Sequence, residues 1–176
     1  MDKILISEKK VRFQDCDPFN HLNNAKYLDY FLNAREDQLL ESYNFDIFDI
    51  AINKSLGWVI YSNQILYLNP VFTMETIVIE TQLTTFTYKS LTVEMRMLDI
   101  NRRKLKSILW TSFIHFDLKL QKPINHQDEY LQLFENVVLP IDQKTIEERR
   151  NFLLRDLARE QAKDAQILYP KDEFYK

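Results

Sequence analysis

One glycine, Gly57, stands among 176 residues, where average usage of ~7% would give about a dozen. Glycine lets a backbone come close to a phosphate or take a sharp turn without a Cβ in the way. With one glycine there is no G-x-G-x-x-G, no Walker A loop and no G-x-S-x-G elbow, since each needs several. Nucleotide binding through a glycine-rich loop is excluded. The remaining composition, 45% hydrophobic and 28% charged, is that of a globular chain with enough apolar residues for a core. The length fits one domain, or one domain with an appendage.

The net charge is −3, with Lys+Arg 23 against Asp+Glu 26. A protein that neutralises phosphates would show a basic excess, so nucleic acid is not an expected partner. Cys16 is the only cysteine, which excludes an intrachain disulfide and fits a reducing compartment. With His21, His115 and His126 it does not reach a Cys/His zinc pattern. The start, MDKILISEKK, is too poor in apolar residues for a signal peptide, and no apolar run approaches the ~18 residues of a membrane span. The expected location is the cytoplasm, with no membrane partner.

Along the chain, residues 7–14 read as a short strand with Val11 and Phe13 on one face. A polar turn, Asp15-Cys16-Asp17-Pro18-Phe19-Asn20, leads to a helix from about Asn24 to Tyr43, with Asn23 or Asn24 as its cap. The first half of that helix (Tyr27, Leu28, Tyr30, Phe31, Leu32, Ala34) is apolar nearly all round, so other structure must wrap it. Its second half (Arg35, Glu36, Asp37) is expected to emerge toward solvent. Residues 45–53 read as a helical or irregular connector. Segments 58–68, 76–86, 90–98 and 105–117 read as strands by alternation and β-branched content, the last apolar on both faces and so central. Short turns between the last three predict an antiparallel meander. Residues 124–140 are mixed, and a charged helix is expected over about 142–166, opened by the capping box Thr145-x-x-Glu148.

The run Asp15-x-Asp17-x-x-x-His21-x-Asn23-Asn24-x-x-Tyr27-Leu28, after a strand and before a helix and further strands, resembles the N-terminal signature of the 4-hydroxybenzoyl-CoA thioesterase-like family, whose fold is the hotdog. Ala34-Arg35-Glu36 is similar to that family's helix ending, and Gln64-x-x-Tyr67-Leu68-x-Pro70 to its second strand. The family's turn glycine is Asn20 here, a residue that tolerates the left-handed conformation. The resemblance implies an α+β hotdog fold, a long antiparallel sheet wrapped around a central helix, over residues 1–125. Residues 126–176 are then an extension carrying the charged helix, for which the resemblance gives no account.

It also implies an acyl-CoA thioesterase with no metal or redox cofactor. A thioester carbonyl needs a group that activates water or attacks directly, and donors aimed at the oxygen that becomes negative. A carboxylate just ahead of a helix N-terminus supplies the first, and the free amides of the helix supply the second. The resemblance assigns the carboxylate to Asp17, as general base or nucleophile. By parity Asp15 and Asp17 share a face of an extended segment, so the residues alone leave both open. An Asx-turn beside Pro18 is a further use for Asp17. His21 either orients substrate or holds the turn. Asn23 and Asn24 cap the helix, and Asn24 can also face the thioester. Amides near Ala25 to Tyr27 would polarise the carbonyl, although Tyr27 also fits a core position. Cys16, on the opposite face by alternation, is a weak nucleophile candidate. Ser62, in the segment a neighbouring subunit would contribute, and Lys89 and Ser90, at a strand start, are the implied substrate contacts. Arg102, Arg103 and Lys104 form a basic turn that is either solvated or placed against CoA phosphate.

The expected reaction is hydrolysis of an acyl-CoA to a free acid and CoA. The alternatives are the same chemistry on an acyl-carrier protein, or a hotdog domain that binds or assembles without turnover. The resemblance further implies a homodimer or a dimer of dimers, with Asp17 near the Tyr61–Gln64 region of the other chain.

Overall fold

The computed structural model describes residues 1–168. The chain divides into two compact units, Met1–Asp142 and the part from Gln143 onward. The first is a curled antiparallel sheet around one long helix. Its strands are β1 (Ile4–Lys10), β2 (Leu56–Tyr67), β3 (Thr76–Phe86), β4 (Ser90–Asp99) and β5 (Leu105–Asp117), in the order β1-β3-β4-β5-β2. A two-residue strand, β6 (Lys122–Pro123), pairs with the end of β5. The meander β3–β4–β5 follows the expected strands closely, and β2 returns to lie antiparallel to β5. This is the hotdog arrangement that the sequence implied.

Helix α1 (Tyr27–Tyr43) is the wrapped helix. Phe31 and Ala34 are fully buried against Ile77, Ile79, Met95, Met97 and Leu109, the alternate residues of β3, β4 and β5 that share the inner face. The helix ends at Asn44, which is left-handed (φ 51°) and donates its N–H to the carbonyls of Leu39 and Leu40. A short helix, α2 (Ile47–Asp49), and one π-helical turn (Ile50–Lys54) connect α1 to β2. The inner face is completed by α3 (Asp128–Val137), whose Tyr130, Phe134 and Val137 join the same core, so that this core reaches past residue 125.

The structure differs from the sequence reading at the first strand and in the second half of α1. The first strand is Ile4–Lys10 rather than 7–14. Its ladder with β3 ends at the pair Lys10–Thr76, and the chain then turns through a 3-10 segment, Phe13–Asp15. Val11 is buried beside that turn while Phe13 points to solvent, so the two do not share a buried face. The second half of α1 also does not emerge on all sides. Arg35 and Gln38 are only 8% and 2% exposed, because α1 stays against the sheet where Thr81 interrupts its apolar inner face.

The scarcity of glycine shows in the turns. Asn20, Asn44, Ser55, Met74, Arg102 and Gln121 all take positive φ, and Gly57 does not. Gly57 sits in β2, where an added Cβ would meet only the side chain of Leu118 at 3.7 Å, an ordinary contact. The one glycine is therefore not what the turns depend on.

The second unit is described by itself. Its helix, α4 (Ile146–Leu168), is opened by Thr145, whose Oγ1 accepts the Glu148 N–H at 3.2 Å. The Glu148 carboxylate reaches back to the N–H of Lys144 at 2.9 Å, one residue before the cap, which shifts the reciprocal half of the expected capping box.

Candidate active site

The turn before α1 is closed around Asp17. Its Oδ1 accepts the N–H groups of Phe19 at 2.9 Å and His21 at 3.0 Å. Its backbone N–H donates to the His21 carbonyl at 2.7 Å, and its carbonyl accepts from Asn20 at 3.1 Å. Asn20, at φ 67°, makes the reversal where the resembling family has glycine. Asp17 is thus the Asx-turn residue that one reading of the sequence allowed. That role occupies Oδ1 only, because Oδ2 has no hydrogen-bond partner among the described residues.

Neighbouring segments hold the turn in place. Leu22 donates to the Val71 carbonyl at 2.8 Å, Thr73 donates to the Asn20 carbonyl at 3.2 Å, and the His21 ring packs edge-on to Phe72 with centroids 5.2 Å apart. His21 is half-buried. Asn23 is the cap: its Oδ1 accepts the Ala25 N–H at 2.9 Å and its carbonyl accepts from Lys26 at 2.8 Å. The amides of Ala25 and Lys26 are therefore already engaged. Asn24 is exposed, and its carboxamide has no partner among the described residues, while its carbonyl accepts from the Tyr67 hydroxyl at 3.1 Å. That bond ties the end of β2 to the start of α1. Tyr27 is buried, edge-on to Tyr67 with centroids 4.9 Å apart, and burial pushes its hydroxyl pKa up to about 12.

Asp15 and Asp17 do not share a face. The 3-10 turn breaks the parity of an extended segment, and the Asp15 Oδ2 accepts from the Tyr30 hydroxyl at 2.8 Å, which itself accepts the Arg12 N–H at 2.9 Å. Asp15 opens on a polar groove of about 560 Å³ shared with Lys9, Lys10, Arg12 and Asp29. Cys16 directs its Sγ to the Arg12 carbonyl at 3.4 Å.

The structure does not gather all the sequence candidates within one chain. Lys89 and Ser90 lie in the β3–β4 hairpin, where Thr87 Oγ1 accepts their N–H groups at 3.2 and 3.0 Å. The Asp17 turn is bound to the segment entering β3 at its other end. Eleven residues of β3 separate the two, roughly 35 Å at 3.3 Å per residue. Ser62 is midway along β2, next to a bulge at Tyr61. The basic turn is partly committed, because Arg102 pairs with Glu80.

An apolar cavity of about 320 Å³ went unnoticed in the sequence. It lies between α1, the inner sheet face and α3, with Leu32, Leu39, Trp58, Leu91, Phe113 and Phe134 in its walls. Its one sequence signal was the i, i+3, i+4, i+7 spacing of Tyr130, Leu133, Phe134 and Val137, a helical stripe within a segment that looked mixed.

Residues 11–143 match the family model described as thioesterase-like superfamily. The long-chain acyl-CoA thioesterase FadM of Escherichia coli (strain K12) is 29% identical over 130 residues, covering 73% of this chain and 96% of that protein. The crystal structure of YbaW, a probable thioesterase from Escherichia coli, superposes with a TM-score of 0.66 at 26% identity, covering 77% of this chain and 99% of that one. A DHNA-CoA thioesterase from Staphylococcus aureus superposes at 0.70 with 16% identity, over 76% of this chain and 90% of that one, a likeness of fold.

Proposed function

The chain belongs to the thioesterase-like superfamily, and on that premise we propose that it hydrolyses acyl-CoA thioesters to a free acid and CoA, with Asp17 as the reacting carboxylate. The observation that carries this reading is the division of labour within one side chain. Two backbone amides fix Oδ1 of Asp17, so Oδ2 is held in one orientation beside the start of α1 with no partner of its own. A carboxylate oriented in this way needs no reorganisation before it takes a proton from water or attacks the carbonyl carbon. Asn24, at the start of the same helical segment, supplies a carboxamide donor without a partner among the described residues, and the positive end of α1 favours the developing oxyanion. Because Ala25 and Lys26 already donate to Asn23, the oxyanion donors are the Asn24 side chain and amides deeper in the first turn. His21 borders the same turn and positions the thioester.

The acyl chain enters the apolar cavity, which α1 lines with Leu32 and Leu39 further along the same helix. A 150 Å³ apolar cavity holds benzene, so about 320 Å³ accommodates roughly a dozen carbons. The site is completed by a second copy. A two-fold axis pairing the free edges of two β2 strands reverses the second sheet end for end, which carries its Ser62 segment and its Lys89–Ser90 hairpin toward the Asp17 end of the first. There Lys89 meets the phosphates of CoA.

The test is turnover by the purified Asp17→Asn protein on a panel of acyl-CoAs. Asn keeps the Oδ1 acceptor and the turn but loses the base, so cleavage is expected to fall by at least 10³-fold, at the steep end of what general-base loss removes. Turnover near the wild-type rate would overturn the assignment and move it to Asp15.

A further inference from the structure

Arg35 is 8% exposed and lies in the wall of the apolar cavity. Its Nη1 donates to Thr81 Oγ1 at 2.9 Å, and Thr81 in turn donates to Gln38 Oε1 at 2.5 Å. Gln38 Nε2 donates to Ser7 Oγ at 2.9 Å and to the Ile79 carbonyl at 3.1 Å. Thr81 and Gln38 are thus satisfied among protein groups, but a guanidinium has five N–H donors and this one uses a single donor among the described residues. No carboxylate among the described residues pairs with it. Glu36 borders the same cavity without bonding it, and the Glu36 carboxyl is shifted upward, by burial first and Asp37 second, as a carboxyl lacking a cation partner is. Burial lowers the Arg35 pKa to about 10, which leaves it charged at neutral pH. A buried, unpaired charge is costly, and the ordinary remedy is a carboxylate.

We propose that the cavity takes an aliphatic chain bearing a carboxylate, and that the carboxylate pairs with the free donors of Arg35. This rests on the reading of the cavity as the acyl receptor, and gives that receptor a chemical preference. Two molecules carry such a group. One is an acyl-CoA whose far end is a carboxylate, the thioester of a dicarboxylic acid. The other is a free fatty acid lying with its carboxylate inward, as a bound product would. In both, the cavity's apolar walls hold the methylenes and Arg35 holds the anion.

Two arms on the purified full-length protein test this. In the first, kcat/KM is measured for acyl-CoAs of equal chain length ending in methyl or in carboxylate, in the wild type, Arg35→Met and Arg35→Lys. In the second, calorimetry compares binding of a medium-chain alkanoate with the alcohol of the same length. The expected result is a preference of at least tenfold for the carboxylate in one arm, lost in Arg35→Met and partly kept in Arg35→Lys. A preference in the first arm identifies the dicarboxylic thioester, and one in the second alone identifies the free acid. A residue that only ties α1 to the sheet would change stability and leave these ratios where they were. Should Arg35→Met fail to fold, the wild-type comparison decides. Equal handling of carboxylate and neutral ends in both arms overturns the proposal. Hydrolysis without any carboxylate preference therefore rejects this inference alone, whereas alkanoate binding without hydrolysis of any thioester rejects the enzymatic reading alone.

Discussion

The indole N–H of Trp58 donates to Nε2 of His126 at 3.1 Å, and this fixes His126 as a neutral acceptor. Its other ring nitrogen faces the Thr87 carbonyl at 3.1 Å and so carries the proton. His115 stacks against both rings, 4.8 Å from Trp58 and 4.9 Å from His126. Its Nδ1 faces the Asn125 carbonyl at 3.0 Å, and its buried Nε2 has no hydrogen-bond partner among the described residues. Both imidazoles join β2, β5 and the segment entering α3 as neutral rings.

Stability is therefore expected to fall with acid in a defined window. Burial lowers both pKa values from 6.5, and for His126 the neighbouring His115 lowers it further. Below pH ~6.5 the unfolded chain binds protons that the folded one refuses, so stability is complete above that pH and is lost as pH falls toward the folded-state values. The slope is up to about 1.4 kcal/mol per pH unit per histidine. Melting temperatures between pH 8 and 5 measure it. His126→Phe is expected to flatten the curve, and an unchanged slope in that variant would contradict the assignment.

Asp17 has separable structural and chemical duties. Asp17→Ala removes the acceptor for Phe19 and His21, and is expected to cost about 1–2 kcal/mol of stability, the range for losing a side-chain cap. Asp17→Asn retains the acceptor and should melt within a few degrees of the wild type while losing activity. Denaturant midpoints for the two variants check this. Equal destabilisation of both would show that charge, not hydrogen-bond geometry, holds the turn.

Much of this is legible in the sequence, and each miss has its own physical cause. The inner-face alternation of Ile77, Ile79, Thr81 and Leu83 is in the sequence, as are the Asn23 cap and the Asn20 reversal. The sequence reading expects Arg35 to face solvent with Glu36 and Asp37, because charge ordinarily marks a wet surface, yet Arg35 and the neighbouring Gln38 are both buried. They are buried because one polar residue across the core, Thr81, partners both. That pairing spans more than forty positions, which no local periodicity reports. The parity argument for Asp15 and Asp17 failed for the converse reason: a three-residue 3-10 turn is too short to leave a periodic trace.

Activity is expected to survive EDTA and a thiol blocker. The proposed route uses the Asp17 carboxylate and amide donors, and Cys16 is directed to the Arg12 carbonyl rather than to that carboxylate. Hydrolysis assayed before and after each treatment checks both. Loss in EDTA restored by a divalent ion would add a metal to the mechanism. Loss with a small blocker such as a methylthio group would bring Cys16 into it.

The sheet has two free edges, and they are built differently. β1 is seven residues long and carries Glu8, Lys9 and Lys10, charges that discourage edge pairing. β2 is twelve residues long and contains no charged residue. Val59, Tyr61 and Tyr67 are exposed on it, with Tyr61 at the bulge where its register against β5 shifts. A long, uncharged, partly apolar edge strand is a surface that another strand covers, and an identical strand across a two-fold axis covers both at once. Dimerisation through β2 is the expected outcome, with the partner's Tyr61–Gln64 segment expected beside Asp17. Sedimentation at micromolar concentration should give at least twice the 21.3 kDa chain mass. Tyr61→Lys places a charge on each of the two paired edges and should yield monomers with activity reduced at least tenfold, since each site then lacks its second wall. A wild-type monomer with full activity would refute the shared site and confine the chemistry to the Asp17 turn of one chain.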